Sequence, residues 1–184
     1  MADLTGKRIL TILQNRGAEQ DEVKQPVEQL RDAGAEVTVA TPEAGTIQTL
    51  VGDWDLGEQF TSDTKLSDLD DSGFDILIIP GGTLNADSLR LNDDAQRIAK
   101  SFASSGRPVA SLCHGPWLLV ETGLVKDKRA TSYISVKTDI SNAGGLWEDS
   151  ELVRCPSQGW TLLTSRGPQD LSPFISAITS ELSE

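Results

Sequence analysis

Short runs of β-branched and aliphatic residues alternate along the chain with stretches in which apolar positions recur every three or four residues. The first run, Arg8-Ile9-Leu10-Thr11-Ile12-Leu13, is bounded by Asn15 and Gly17 and predicts a buried strand. Val23, Val27, Leu30 and Ala33 follow at helical spacing, with Gly34 as the stop. Pro26 falls inside that pattern and is expected to kink or reposition the early helix. Glu36-Val37-Thr38-Val39-Ala40 predicts a second strand, so the chain opens as β-α-β with room for a right-handed crossover.

Residues 42–71 are polar and rich in Gly, Asp and Ser, with Ile47, Leu50, Trp54, Phe60 and Leu66 as anchors; short edge strands and a loop are expected there. Phe74-Asp75-Ile76-Leu77-Ile78-Ile79 is a nearly continuous apolar run, as in a parallel strand covered on both faces, and it stops at Pro80-Gly81-Gly82. Asn92 predicts the cap of a helix whose buried face is Ala95, Ile98, Ala99 and Phe102 and which ends near Gly106. Pro108-Val109-Ala110-Ser111-Leu112 predicts another buried strand, leading directly into Cys113-His114-Gly115-Pro116 and the helical run Trp117-Leu118-Leu119-Val120. A strand near residues 130–133, a short helix at 136–142, a hairpin over 151–165 turning at Ser157-Gln158-Gly159 and a final helix follow. That last helix starts near Ser172-Pro173 and lays Leu171, Phe174, Ile175, Ile178 and Leu182 on one face. The alternation predicts an α/β sandwich with a mainly parallel sheet, as a single domain over residues 1–184.

Composition narrows the chemistry. With 28 acidic against 16 basic residues the formal net charge is -12, which argues against nucleic acid or an anionic membrane as the main partner. The chain holds one His and two Cys, whereas a structural zinc site takes about four such ligands, so no metal site is expected. No apolar run approaches a membrane span, and two cysteines make no disulfide framework. Residues 1–7 are polar and carry no secretory pattern; a cytoplasmic protein with reduced thiols is expected.

In open α/β sheets ligands bind beyond the carboxyl ends of the strands, where three segments are expected to converge: 17–22, 80–87 and 113–116. A cysteine at a tight strand-to-helix turn exposes its sulfur beside the free N–H groups of the next helix, the geometry of a nucleophile elbow, and those groups favour a thiolate. Gly115 permits the turn, Pro116 suits a first helical position, and His114, the only imidazole, is adjacent. Gly81 and Gly82 leave backbone N–H groups free to approach an oxyanion or a substrate carbonyl. Glu19, Asp21 and Glu22 could simply be a solvated helix start, but a protonated Glu22 could donate a hydrogen bond to the thiolate. Trp54 and Trp117 could wall the pocket or serve as core, and Cys155 has no assigned chemistry.

The segments Gly17-Ala18-Glu19-Gln20-Asp21-Glu22, Pro80-Gly81-Gly82, Ala110-Ser111-Leu112-Cys113-His114-Gly115-Pro116, Thr131-Ser132-Tyr133, Asn142-Ala143-Gly144-Gly145 and Thr164-Ser165-Arg166 occur in one order along the chain. Together they resemble the PfpI-type intracellular protease I family, within the superfamily of the parkinsonism-associated deglycase. The resemblance implies a three-layer, flavodoxin-like sheet of the class I glutamine amidotransferase type, with the nucleophile elbow at Cys113. It implies Cys113 as nucleophile, Glu22 as the protonated acid on its sulfur, and the N–H groups of Gly82 and His114 as an oxyanion hole. In the hexameric branch a neighbouring subunit supplies a carboxylate to the histidine. The matching segment is Leu84-Asn85-Ala86-Asp87, so the resemblance puts Asp87 on His114 of a partner chain, at a position that often holds Glu. With no second His, an amidotransferase triad is not available.

The expected function is a stress-protective enzyme acting on methylglyoxal, glyoxal or their early amine adducts, of the glyoxalase III or deglycase type, through a Cys113 hemithioacetal. No cofactor is required, because an α-oxoaldehyde and a hydroxy acid are redox isomers. A cysteine peptidase of the PfpI type, and a non-enzymatic redox sensor or chaperone, are the alternatives. The expected partners are a small aldehyde or glycated substrate and further copies of the chain, as a homodimer or homohexamer.

Overall fold

In the computed structural model, which describes residues 3–183, the chain begins with strand β1 (Arg8–Ile12), a short β2 (Arg16–Glu19) and helix α1 (Gln20–Asp32). Residues 1, 2 and 184, at the ends of the expected domain, lie outside that range. Then come β3 (Glu36–Thr41), β4 (Gly45–Val51), β5 (Asp55–Ser62), β6 (Thr64–Lys65) and β7 (Ile76–Ile79). Helices α2 (Thr83–Leu89) and α3 (Asp93–Ser104) separate β7 from β8 (Val109–Leu112), which runs into α4 (Trp117–Glu121). The chain closes with β9 (Arg129–Ala130), α5 (Lys137–Asn142), β10 (Leu146–Trp147), β11 (Val153–Cys155), β12 (Leu162–Ser165) and α6 (Leu171–Ser183).

The main sheet has the order β11-β12-β8-β7-β1-β3-β6, and every pairing in it is parallel except β11 with β12. Alternation along its central strands divides the core into two layers. Ile9, Ile76 and Ile78 pack with Val23 and Leu30 of α1 and with Phe174 and Ile178 of α6. Their chain neighbours Leu10, Leu77 and Ile79 point the other way, onto Ile98 and Phe102 of α3 and Leu118 of α4. The expected α/β sandwich with a mainly parallel sheet is therefore the observed fold.

The caps behave as their residue types dictate: the Asn92 side chain accepts from the Ala95 N–H at 2.9 Å, and Gly34, at φ 97°, follows the end of α1. Helix α1 starts at Gln20 and continues through Pro26 to Asp32, with the proline buried in its interior. Within residues 42–71, β6 is a short edge strand of the main sheet as expected, but β4 and β5 are longer and form an antiparallel hairpin that joins β2 in a second sheet. The turn of that hairpin has Gly52 at φ 62° and Asp53 at φ 66°, the primed geometry that fits the strand twist, and Trp54 N–H donates to Val51 O at 3.3 Å.

Candidate active site

The elbow forms where the sequence places it. Cys113 follows the last residue of β8 at φ 58°, a left-handed conformation that costs a non-glycine residue about 1–3 kcal/mol. Flanking bonds hold it there: Cys113 N–H donates to Ser165 O at 3.1 Å, and Tyr133 N–H donates to Cys113 O at 2.9 Å. A Cβ on Gly115 would lie 2.6 Å from Ile79 O and from Ser111 Oγ, so the turn beneath the sulfur admits only glycine. Cys113 lines a cavity of about 220 Å³ together with Glu19, Glu22, Asp53, Gly82 and His114.

Glu22 enters from the first turn of α1 and is fully buried. Its Oε2 accepts the Gly81 N–H at 2.7 Å, Oε1 has no partner in hydrogen-bond geometry, and the carboxyl as a whole neighbours the Cys113 thiol. Burial pushes the Glu22 carboxyl up to about 8, and the negative Glu19 and Asp53 add to the effect; hydrogen bonding to Cys113 and Gly81 opposes it. At neutral pH Glu22 is thus mostly a neutral acid with a proton to donate. Burial also raises the Cys113 thiol, and an ionised Glu22 beside it would raise it further; the N–H groups of Gly82 and His114 act the other way. The thiolate preference expected from the elbow therefore meets a stronger desolvation penalty. Protonating Glu22 removes the adjacent charge.

The two glycines do different work. Gly81 spends its N–H on Glu22, while the Gly82 N–H is directed at the Cys113 sulfur. At Gly82, φ is 86°, and a Cβ would fall 2.2 Å from Gly17 O and 2.6 Å from Glu19 N.

His114 is buried, with Nδ1 3.2 Å from Cys113 Sγ. Its ring stacks on Tyr133 at 4.6 Å between centroids and meets Trp117 at 5.2 Å in a tilted arrangement. Burial lowers its pKa, with Asp53 pulling the other way, so the neutral imidazole prevails at pH 7. On the far side, Nε2 lies 3.3 Å from Thr83 Oγ1 and 3.2 Å from Ser135 Oγ. Thr83 is in turn bound by Asp53, whose Oδ1 accepts the Thr83 N–H at 2.8 Å and whose Oδ2 accepts its hydroxyl at 2.6 Å.

Cys113, His114, Glu22, Gly81 and Gly82 are brought together. Asp87 is not among them within this chain: it is exposed on α2. Asp53, Thr83 and Ser135 were missed by the sequence reasoning. Gly52-Asp53 between two β runs is a hairpin signal that could have placed Asp53 at a turn, but nothing local joins it to Thr83. Of the two tryptophans considered for the pocket, Trp117 packs on His114, whereas Trp54 is 89% exposed at the hairpin tip. Among the described residues no group of His, Cys, Asp and Glu is arranged to hold a metal ion, and no helix is long and apolar enough to cross a membrane.

A parallel α/β sheet with a strained cysteine at the end of β8, a buried glutamate from α1 and a Gly-Gly turn after β7 defines a class of cysteine-centred α/β proteins. The chain belongs to the DJ-1/PfpI family, whose model matches residues 7–181. It is 37% identical over 169 residues to General stress protein 18 of Bacillus subtilis, covering 92% of this chain and 94% of that one. It is 36% identical over 146 residues to Deglycase PfpI of Pyrococcus furiosus, covering 79% and 82%. Relatives at similar identity carry deglycase names and also a cysteine-protease name. The crystal structure of Drosophila melanogaster DJ-1beta superposes with a TM-score of 0.84 at 30% identity, covering 99% of this chain and 91% of that one.

Proposed function

We propose that the protein is a Cys113-dependent enzyme that converts small reactive carbonyls, with an α-oxoaldehyde such as methylglyoxal as substrate. One observation carries this reading: a thiol, a carboxyl that is neutral at pH 7 and an imidazole meet at a cavity of about 220 Å³. That is below the roughly 300 Å³ at which pockets begin to accept drug-sized ligands, and it suits a molecule of a few heavy atoms. Relatives named as deglycases and as a general stress protein support the same direction.

In the proposed sequence the thiol proton passes to His114 and the sulfur attacks the aldehyde carbon. A C–S bond forms, the carbonyl π pair moves to oxygen, and a proton returns to give the hemithioacetal. The N–H groups of Gly82 and His114 and the Glu22 acid stand where they can receive the developing charge. Transfer of the C1 hydrogen to C2 then yields the thioester of a 2-hydroxy acid, and water releases the acid and the thiol. Substrate plus water equals product, so no external oxidant is consumed. An orienting role for Asp87 would require a second copy of the chain.

Replacing Cys113 by Ser is expected to reduce methylglyoxal consumption and lactate formation to background, with the circular dichroism spectrum retained. A Cys113→Ser protein that consumed methylglyoxal at the wild-type rate would end this reading. Cleavage of unstructured peptides by wild type, with methylglyoxal left untouched, would favour the peptidase instead.

A further inference from the structure

We propose that Asp53, acting through Thr83 of the same chain, is a positioning residue that fixes His114 as the Nε2–H tautomer and leaves the Nδ1 lone pair to take the Cys113 thiol proton. This rests on the Cys113–His114 pair being the reactive centre, as proposed above.

A carboxylate only accepts hydrogen bonds, so the single hydroxyl proton of Thr83 is committed to Asp53 Oδ2 at 2.6 Å. At its second contact, 3.3 Å from His114 Nε2, Thr83 Oγ1 can therefore act only as acceptor, and a hydrogen bond there puts the hydrogen on Nε2. Ser135, at 3.2 Å, is free to turn its hydroxyl away and accept a share of the same N–H. A neutral imidazole carries one N–H, so Nδ1, 3.2 Å from Cys113 Sγ, is left as a lone pair facing the thiol. Proton transfer breaks the S–H bond, leaves its electron pair on sulfur and forms Nδ1–H; the imidazolium then keeps Nε2–H on Thr83 with the Asp53 charge behind it. This is the logic by which a carboxylate orients a catalytic histidine elsewhere, with a hydroxyl interposed.

The carboxylate is held for this purpose. Asp53 occupies a left-handed turn position that Asp tolerates better than most residues, and the preceding Gly52 N–H is tied to Glu19 Oε2 at 2.9 Å. Other titratable groups facing His114 are Cys113 at Nδ1 and Tyr133 on one ring face; Glu19 and Glu22 line the shared cavity. Trp117 also meets the ring, in a tilted arrangement, and is itself covered by the Arg90 guanidinium.

Because the chain has one histidine, long-range 1H–15N spectra of labelled protein contain one set of imidazole signals and need no assignment. A pyrrole-like Nε2 with a pyridine-like Nδ1 is expected at neutral pH; the opposite pattern overturns the proposal whatever the variants do. Iodoacetamide labelling of Cys113, followed by peptide mass across pH, provides the second readout. Asp53→Asn, which keeps a residue suited to the turn, and Thr83→Val should each slow labelling at neutral pH about tenfold by moving its midpoint up by about one pH unit. Thr83→Ser should restore the wild-type profile. Unchanged profiles in both Asp53→Asn and Thr83→Val also overturn the proposal. A wild type that labels with this profile but ignores methylglyoxal would sink the carbonyl activity while leaving the relay intact.

Discussion

Cys113 and Cys155 are both free, both buried and both at the end of a strand, yet their surroundings are opposite. Burial alone would raise the Cys155 thiol, but the hydroxyl and N–H of Ser157, the Arg129 N–H at 3.3 Å and the charge of Lys128 together bring it below the ordinary cysteine value. Cys113 moves the other way, raised by burial and by Glu22. Ease of ionisation alone would therefore favour Cys155 over the cysteine proposed as nucleophile. What distinguishes Cys113 is a cavity at its sulfur, an imidazole nitrogen at 3.2 Å and a neutral acid beside it. Cys155 has donors around it and serves the fold: the fully buried Lys128 next to it binds the carbonyls of Cys155, Ser157 and Trp160 and lies 3.8 Å from the centroid of the Trp160 ring.

This contrast can be broken most directly by competition between the two thiols. Iodoacetamide at neutral pH should label Cys113 first, and Cys155→Ser should leave methylglyoxal consumption unchanged; labelling of Cys155 first would show that ionisation, not access and a base, governs reactivity. A smaller effect should come from Lys128→Met, which strands three carbonyls and is expected to cost about 2–4 kcal/mol in urea unfolding while Cys113 labelling of the folded protein stays at the wild-type rate. The effect that is smallest per pH unit sharpens the other side. Glu22 has a folded value of about 8 against an ordinary 4.5, so between those pH values the folded chain retains a proton that the unfolded chain releases. Stability should fall as pH rises through that window, by up to about 1.4 kcal/mol per pH unit, and Glu22→Gln should flatten the curve by one proton. Parallel wild-type and variant curves from pH 4.5 to 8 would show that Glu22 is ionised in the fold.

The parts of the molecule legible in the sequence are those whose causes are local. The Ile76–Ile79 strand, the Asn92 cap, the Gly34 stop and the Cys113-His114-Gly115-Pro116 turn each carry their reason within a few residues, and all stand where the pattern placed them. Glu22 was legible as a candidate because an acid beside a thiol is useful only when buried, which the cavity supports. The β4–β5 hairpin was less legible because most of β5 is half-buried or exposed, so no apolar alternation marks it. The Asp53 to Thr83 contact was beyond reach: it joins residues 30 positions apart through a turn whose placement depends on pairing between β2 and β4.

The Gly82 cradle has a consequence for how this pocket can change over generations. Backbone atoms of Gly17 and Glu19 fill the space where any side chain at residue 82 would go; Gly115 is closed by Ile79 O and Ser111 Oγ, and Gly81 by the side chains of Cys113 and Glu22. Substitution can hardly explore the ground beneath the sulfur, so that chemistry is frozen by the crowding of main chain and reactive side chains. Heritable variation in what the pocket accepts is channelled instead to its rim, where Tyr133 and Pro168 present side chains that can be exchanged one at a time.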